Sequence, residues 1–159
     1  MPIAVAVTQP GYFMTLMRQL LLATSLALLA PLALAQPHKQ ELDQLPGQWA
    51  AHVSNGDFGE LANLYLSDAL LHQDFDQQEL HGSKQIAEFY AGYAGHLPKI
   101  VITKINESRV MDAVGLLGGS FSITYADQHV VKGHFSLVCQ WIDGKWQIEI
   151  QHNVRAKPE

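Results

Sequence analysis

Residues Gly144–Val154 read GKWQIEIQHNV, a turn residue followed by a run in which every second side chain is apolar. Alternation of this kind places Trp146, Ile148 and Ile150 on one face of an extended strand, and the next position on that face is His152. Asp143-Gly144, just before the run, is a strong two-residue hairpin signal. It folds the strand back onto His129–Ile142, HVVKGHFSLVCQWI, where Val131, Phe135, Leu137, Cys139 and Trp141 also alternate. Two adjoining strands, each apolar on one side only, predict an antiparallel sheet with one covered face.

The same texture extends upstream. AVGLLGGSFSITYA (Ala113–Ala126) sets Leu117, Phe121, Ile123 and Tyr125 against Ser120, Ser122 and Thr124, and KIVITKINESRV (Lys99–Val110) is rich in β-branched residues. Before Pro98 the period is helical. Trp49 and Val53 lie four apart in a helix predicted over Leu45–Asn55, with Asp43 as its cap, Pro46 in its first turn and Gly56 ending it. Asp57 and Glu60 have capping-box spacing before a second helix with Leu61, Leu64 and Tyr65 inward. Ala69–Phe75 reads as a strand. Gly82-Ser83 opens a third helix, on which Ile86, Phe89, Tyr90 and Tyr93 recur at helical spacing. The predicted class is α+β: three N-terminal helices packed in a strongly curved antiparallel sheet.

The first 35 residues stand apart. Arg18, an unbroken Leu/Ala-rich run and Ala33-Leu34-Ala35 before Gln36 have the three parts of a secretory signal, with Met14 or Met17 as an alternative start. The apolar run from Leu20 to Ala35 is shorter than the ~20 residues that span a bilayer, so no stable anchor is expected after cleavage. Residues 36–159 then form one exported domain, periplasmic or secreted. The chain has 15 acidic residues against 10 basic ones, and its lysines are scattered singly. That balance excludes a nucleic-acid-binding surface, which needs clustered Lys and Arg. A single cysteine, Cys139, excludes an internal disulfide.

Three stretches in order, NGDFGELANLYLSDALL (Asn55–Leu71), HGSKQIAEFY (His81–Tyr90) and DGKWQIEIQHN (Asp143–Asn153), resemble the nuclear transport factor 2-like superfamily. That group includes SnoaL-like cyclases, ketosteroid isomerases, scytalone dehydratase and the association domain of calcium/calmodulin-dependent kinase II. The resemblance implies a cone of curved sheet around helices, and homodimers built through the outer sheet face. On this chain that face is expected to carry Ser120, Ser122, Thr124, His134, Ser136, Gln147, Glu149 and Gln151. The resemblance also puts Gln73 where the isomerases have their catalytic aspartate and Trp49 where they have an oxyanion tyrosine. An amide is no general base at neutral pH, so isomerisation by that route is not expected.

The candidate site is the interior of the cone. His152 is the expected acid–base group, its alternative being a core histidine satisfied by a neighbour, because an unpartnered buried imidazole costs about 1–3 kcal/mol. Tyr65 and Tyr90 are the expected hydrogen-bond donors to a carbonyl. Trp49, Phe89, Tyr93, Phe121, Phe135 and Ile150 are the expected apolar lining. His72, Asp74 and Asp76 alternate near His81, which reads as a metal triple or, more simply, as a solvated strand face; no metal and no cofactor is expected. Three functions follow in order of preference: an exported protein binding a small apolar molecule, a cofactor-free isomerase, cyclase or dehydratase working through His152, and an assembly module.

Overall fold

The computed structural model describes residues 38–157. The predicted leader over residues 1–35 lies outside the described residues. Among those described, no helix is long and apolar enough to cross a membrane.

The helices are α1 (Lys39–Asn55), α2 (Phe58–Asn63) and α3 (Gly82–Ala91). The strands are β1 (Tyr65–Gln73), β2 (Gln78–His81), β3 (Lys99–Met111), β4 (Val114–Thr124), β5 (Val130–Ile142) and β6 (Lys145–Arg155). They form one six-stranded sheet in the order β2-β1-β6-β5-β4-β3. The sheet is mixed, not wholly antiparallel as expected: β1 runs parallel to β6, and every other pair is antiparallel. Helices cover one face, with α1 packed on β3, β4 and β6 and α3 on β1 and β2.

Local chemistry explains most boundaries. Asp143 and Gly144 have φ of 52° and 79°, the double left-handed geometry of a two-residue hairpin. Gly56, at φ 78°, closes α1 as a left-handed C-cap. That helix begins six residues earlier than predicted. Leu42 and Leu45 extend the buried stripe of Trp49 and Val53 backward, and the helix tolerates Pro46 in its interior. Asp43 is therefore not the cap; it sits within the helix and accepts a bond from Lys39 Nζ at 2.8 Å. The start of α1 is tied to β6 by Trp146 Nε1, which donates to the His38 carbonyl at 2.8 Å. Its end is tied to β3, where Ile100 N donates to Ser54 Oγ at 2.9 Å. Tyr65 opens β1 instead of lying on α2, and β2 is a short strand not foreseen in the sequence.

The interior is aromatic where β4 and β5 cross it. Phe121 lies opposite Gly133 and Phe135 opposite Gly119, so each ring rests over a glycine of the neighbouring strand. A β-carbon on Gly133 would stand 2.5 Å from Phe121 Cζ, and one on Gly119 would stand 2.7 Å from Phe135. These glycines are the space that the rings occupy.

Candidate functional site

Strand β6 carries a bulge that decides the site. Cys139 pairs with Ile148 and the preceding residue, Val138, pairs with Ile150, so Glu149 is one residue too many for β5. An extra residue shifts the alternation by one and exchanges the faces of everything beyond it. Trp146 and Ile148 point into the core as expected, but Ile150 and His152 do not. Ile150 is 38 % exposed. His152 is exposed on the outer face, its ring 5.9 Å from that of His72. The expectation of an inward imidazole is overturned.

Gln151 and Asn153 take the inward positions, each 1 % exposed. Tyr65 Oη donates to Gln151 Oε1 at 2.5 Å, and Gln151 Nε2 donates to Asn153 Oδ1 at 3.1 Å. Gln73 on β1 is the cross-strand partner of Asn153 and is likewise buried. Trp49 approaches from α1 and Tyr90 from α3, their rings 5.9 Å apart in an edge contact. Phe121 closes one side, 6.3 Å from Trp49. Six side chains from four elements and the wall of β4 thus enclose a neutral polar patch inside an apolar shell.

That patch is incompletely satisfied. Trp49 Nε1, Gln73 Oε1 and Tyr90 Oη are buried with no hydrogen-bond partner. Each such atom costs about 1–3 kcal/mol relative to a bonded one. Burial holds both phenols well above the usual tyrosine range; the neighbouring Tyr90 adds to the rise at Tyr65, and Tyr93 adds to it at Tyr90. At Tyr90 the nearby Asn153 and Trp49 draw the value part of the way back, although neither closes a hydrogen bond to the hydroxyl. Burial also pushes the Cys139 thiol up to about 12.

A pH dependence follows. These three groups are protonated in the folded state at pH values where the unfolded chain has lost the protons. Their stabilisation is complete below pH ~8.5 and is lost as pH rises through their folded values, at about 1.4 kcal/mol per pH unit for each group titrating. An ultraviolet titration is expected to show Tyr65 and Tyr90 ionising only as the domain unfolds. Smooth ionisation of every tyrosine near pH 10, with secondary structure intact, would contradict their burial.

The remaining candidates are divided between interior and mouth. Phe121 and Phe135 are core, 2 % and 6 % exposed. Phe89 is half-buried, its ring 5.1 Å from Tyr90 and 5.7 Å from Tyr93. Tyr93 lies beyond the end of α3, where its hydroxyl reaches Asp76 Oδ2 at 3.4 Å. Asp74 and Asp76 belong to the β1–β2 turn, so the triple with His72 is not assembled; His72 faces Glu79 instead, at 3.4 Å. Among the described residues no group of three or more His, Cys, Asp or Glu side chains is placed to hold a metal ion. A surface cleft of about 580 Å3 opens between α1 and β3, and none of the candidate residues lines it.

The outer face also differs from expectation. Gln151 has left it and Ile150 has joined it, in a transverse row Leu70–Ile150–Val138–Leu116 across four strands. The next row holds His72, His152 and Ser136.

This architecture has close counterparts among solved structures. An NTF-2 like protein from Shewanella oneidensis superposes with a TM-score of 0.62 at 17% identity, over 72% of this chain and 96% of its own. The fold is nuclear transport factor 2-like. A ketosteroid isomerase-like protein from Erwinia carotovora gives a TM-score of 0.65 at 13% identity, over 77% and 98%. A protein named for the calcium/calmodulin dependent protein kinase II association domain, from Xanthomonas campestris, gives 0.65 at 23% identity, over 75% and 88%. No protein-family model matches the chain, and no curated protein matches it. Nuclear transport factor 2-like cones serve unrelated functions, so the interior side chains must carry the functional argument.

Proposed function

We propose that this nuclear transport factor 2-like chain is an exported small-molecule-binding protein whose cone receives an uncharged, largely apolar ligand without turning it over. The observation that carries the reading is the group of unpartnered atoms at the base of the cone: Trp49 Nε1, Gln73 Oε1 and Tyr90 Oη. Buried polar groups are ordinarily bonded, and an aromatic shell with a few convergent polar points is the usual form of a ligand site. The neutrality of the patch supports binding over catalysis. Among the described residues the buried polar side chains apart from the phenols and indoles are Gln73, Gln151 and Asn153, none of which moves a proton at neutral pH. With His152 outside, the acid–base reading loses its base. Export rests on the leader-like pattern of residues 17–36.

The test is native mass spectrometry of the exported protein, followed by a thermal-shift panel of hydrophobic carbonyl and hydroxyl compounds. A ligand at a hundred times its Kd adds about 2.7 kcal/mol of stability, a shift of several degrees. A protein that is empty by mass and indifferent to the whole panel would overturn the reading.

One observation favours a second reading, an assembly module. The row Leu70–Ile150–Val138–Leu116 gives the outer sheet face an apolar centre, and Ile150 is exposed on it. A homodimer through that face would bury this row, with polar residues at its rim. Light scattering of the wild type and of Ile150→Lys tests it: a dimer that becomes a monomer supports the module, and a monomeric wild type excludes it.

A further inference from the structure

The β1–β2 turn, residues 74–77, follows Gln73 directly and carries Phe75, which is half-buried against the core. The Phe75 ring lies 5.9 Å from Phe121 on its inner side, and the guanidinium of Arg155 lies 5.3 Å from its centroid. Phe121 in turn contacts Trp49, whose indole N–H is unpartnered, and Gln73 precedes Phe75 by two residues on the same chain. Arg155, Phe75, Phe121 and Trp49 therefore form one path from the surface to the polar base.

The turn is held differently at its two ends. Asp74 N donates to the Asn153 carbonyl at 3.0 Å, which fixes the entry to the turn beside the site. Beyond Phe75 the fastenings are weak and exposed: the long Tyr93–Asp76 contact of 3.4 Å, and Arg155 over the ring. Gln77 turns back into β2 with φ 51°, a left-handed conformation that a non-glycine residue adopts at some expense. Phe75 thus stands on a turn, and outside the core its ring is held by the cation–π contact with Arg155.

We propose that Phe75 is the stopper of the cone, and that the site behind it takes a ligand with one uncharged aromatic ring bearing a group that both donates and accepts a hydrogen bond. This rests on the small-molecule reading above. The ring of the ligand takes the place of the Phe75 ring, between Phe121 and Arg155, a position already suited to a planar apolar group. The polar end follows from the atoms that need partners. Trp49 Nε1 can only donate, Gln73 Oε1 can only accept, and Tyr90 Oη can do either. A hydroxyl or a primary amide carries both the acceptor that Trp49 Nε1 lacks and the donor that Gln73 Oε1 lacks, whereas a hydrocarbon ring carries neither. A carboxylate at the inner end would enter a patch whose described buried polar side chains are the uncharged Gln73, Gln151 and Asn153, at the cost of its hydration. The ligand class is therefore phenols and benzamides, and not benzoates or alkylbenzenes.

The experiment measures binding of phenol, benzamide, toluene and benzoate to the full chain at pH 7, with association rates by stopped-flow tryptophan fluorescence. Wild type, Phe75→Ala and Arg155→Gln are compared. Phenol and benzamide are expected to bind at least about tenfold tighter than toluene, with benzoate silent, because unpaired polar atoms penalise a ligand that lacks their partners. Phe75→Ala is expected to raise the association rate about tenfold or more, by making the open state the resting one. Arg155→Gln, which leaves the core untouched, is expected to raise it severalfold. Unchanged rates in both variants with phenol still bound would overturn the stopper while leaving the small-molecule reading intact. Toluene or benzoate binding as well as phenol would overturn the ligand class. Failure of all four probes on the wild type and both variants would do the same, and the broader thermal-shift panel then decides whether the cone binds anything.

Discussion

Gly119→Ala is expected to destabilise the domain by about 3 kcal/mol or more, lowering its melting temperature by about 10 °C or more. An alanine β-carbon there would overlap the Lys104 carbonyl oxygen and stand 2.7 Å from two atoms of the Phe135 ring. The first obstacle is backbone and has little freedom to yield. It lies where β3 is bulged twice, between Ile102 and Lys104 and again between Ile105 and Glu107. The second is the ring that fills the core over this glycine. Gly47→Ala provides the control. It lies within α1 with nothing inside 4 Å of the added methyl, so removing a flexible residue from a helix should stabilise by about 0.5–1 kcal/mol. Denaturant melts of the two variants check both signs. A near-neutral Gly119→Ala would mean that β3 and β4 are not registered as described.

Asn153→Asp is expected to lose about 2–4 kcal/mol at pH 7 and to recover most of it near pH 4. The side chain is 1 % exposed, accepts from Gln151 Nε2 and lies near the Tyr90 hydroxyl, all uncharged groups. Burial would raise the folded pKa of the new carboxyl above its unfolded value near 4. The folded state then holds its proton while the unfolded state releases it, so stability declines as pH rises from about 4 through the folded pKa and levels off above it. Urea melts at pH 4.5 and 7.5, each referenced to the wild type, measure the difference. Equal penalties at both pH values would show that position 153 reaches water.

Much of the architecture was legible because local chemistry and long-range packing agree in this chain. Asp143-Gly144 asks for a hairpin and forms one, and the alternation of Phe135, Leu137 and Cys139 is the alternation of the core. The first helix was read too short because Pro46 resembles a first-turn residue, although Leu42, Leu45, Trp49 and Val53 already keep helical spacing through it. The site was misread for a different reason. Alternation sends polar residues outward by default, and β6 after Ile148 has the opposite requirement. Glu149 inserts one residue, and Gln151 and Asn153 turn in while Ile150 and His152 turn out. Periodicity has no means of announcing a bulge whose extra residue is as polar as its neighbours. The available signal was on β1: Gln73 shares its inward face with Ala69 and Leu71, and a buried amide needs a polar partner on the strand beside it. Asn153 is that strand's residue opposite Gln73. Functional sites are where the hydrophobic pattern is expected to fail, and here it fails for Gln73, Gln151 and Asn153.

Hydrogen exchange of the side-chain amide protons of Gln151 and Asn153, resolved by NMR, tests the bulge and its consequence most directly. Both amides are predicted to be strongly protected, while the ring of His152 stands exposed to solvent on the outer face. Rapid exchange of both amides, together with an imidazole shielded from solvent, would mean that the strand continues without interruption past Ile148 and that the polar base of the cone does not exist.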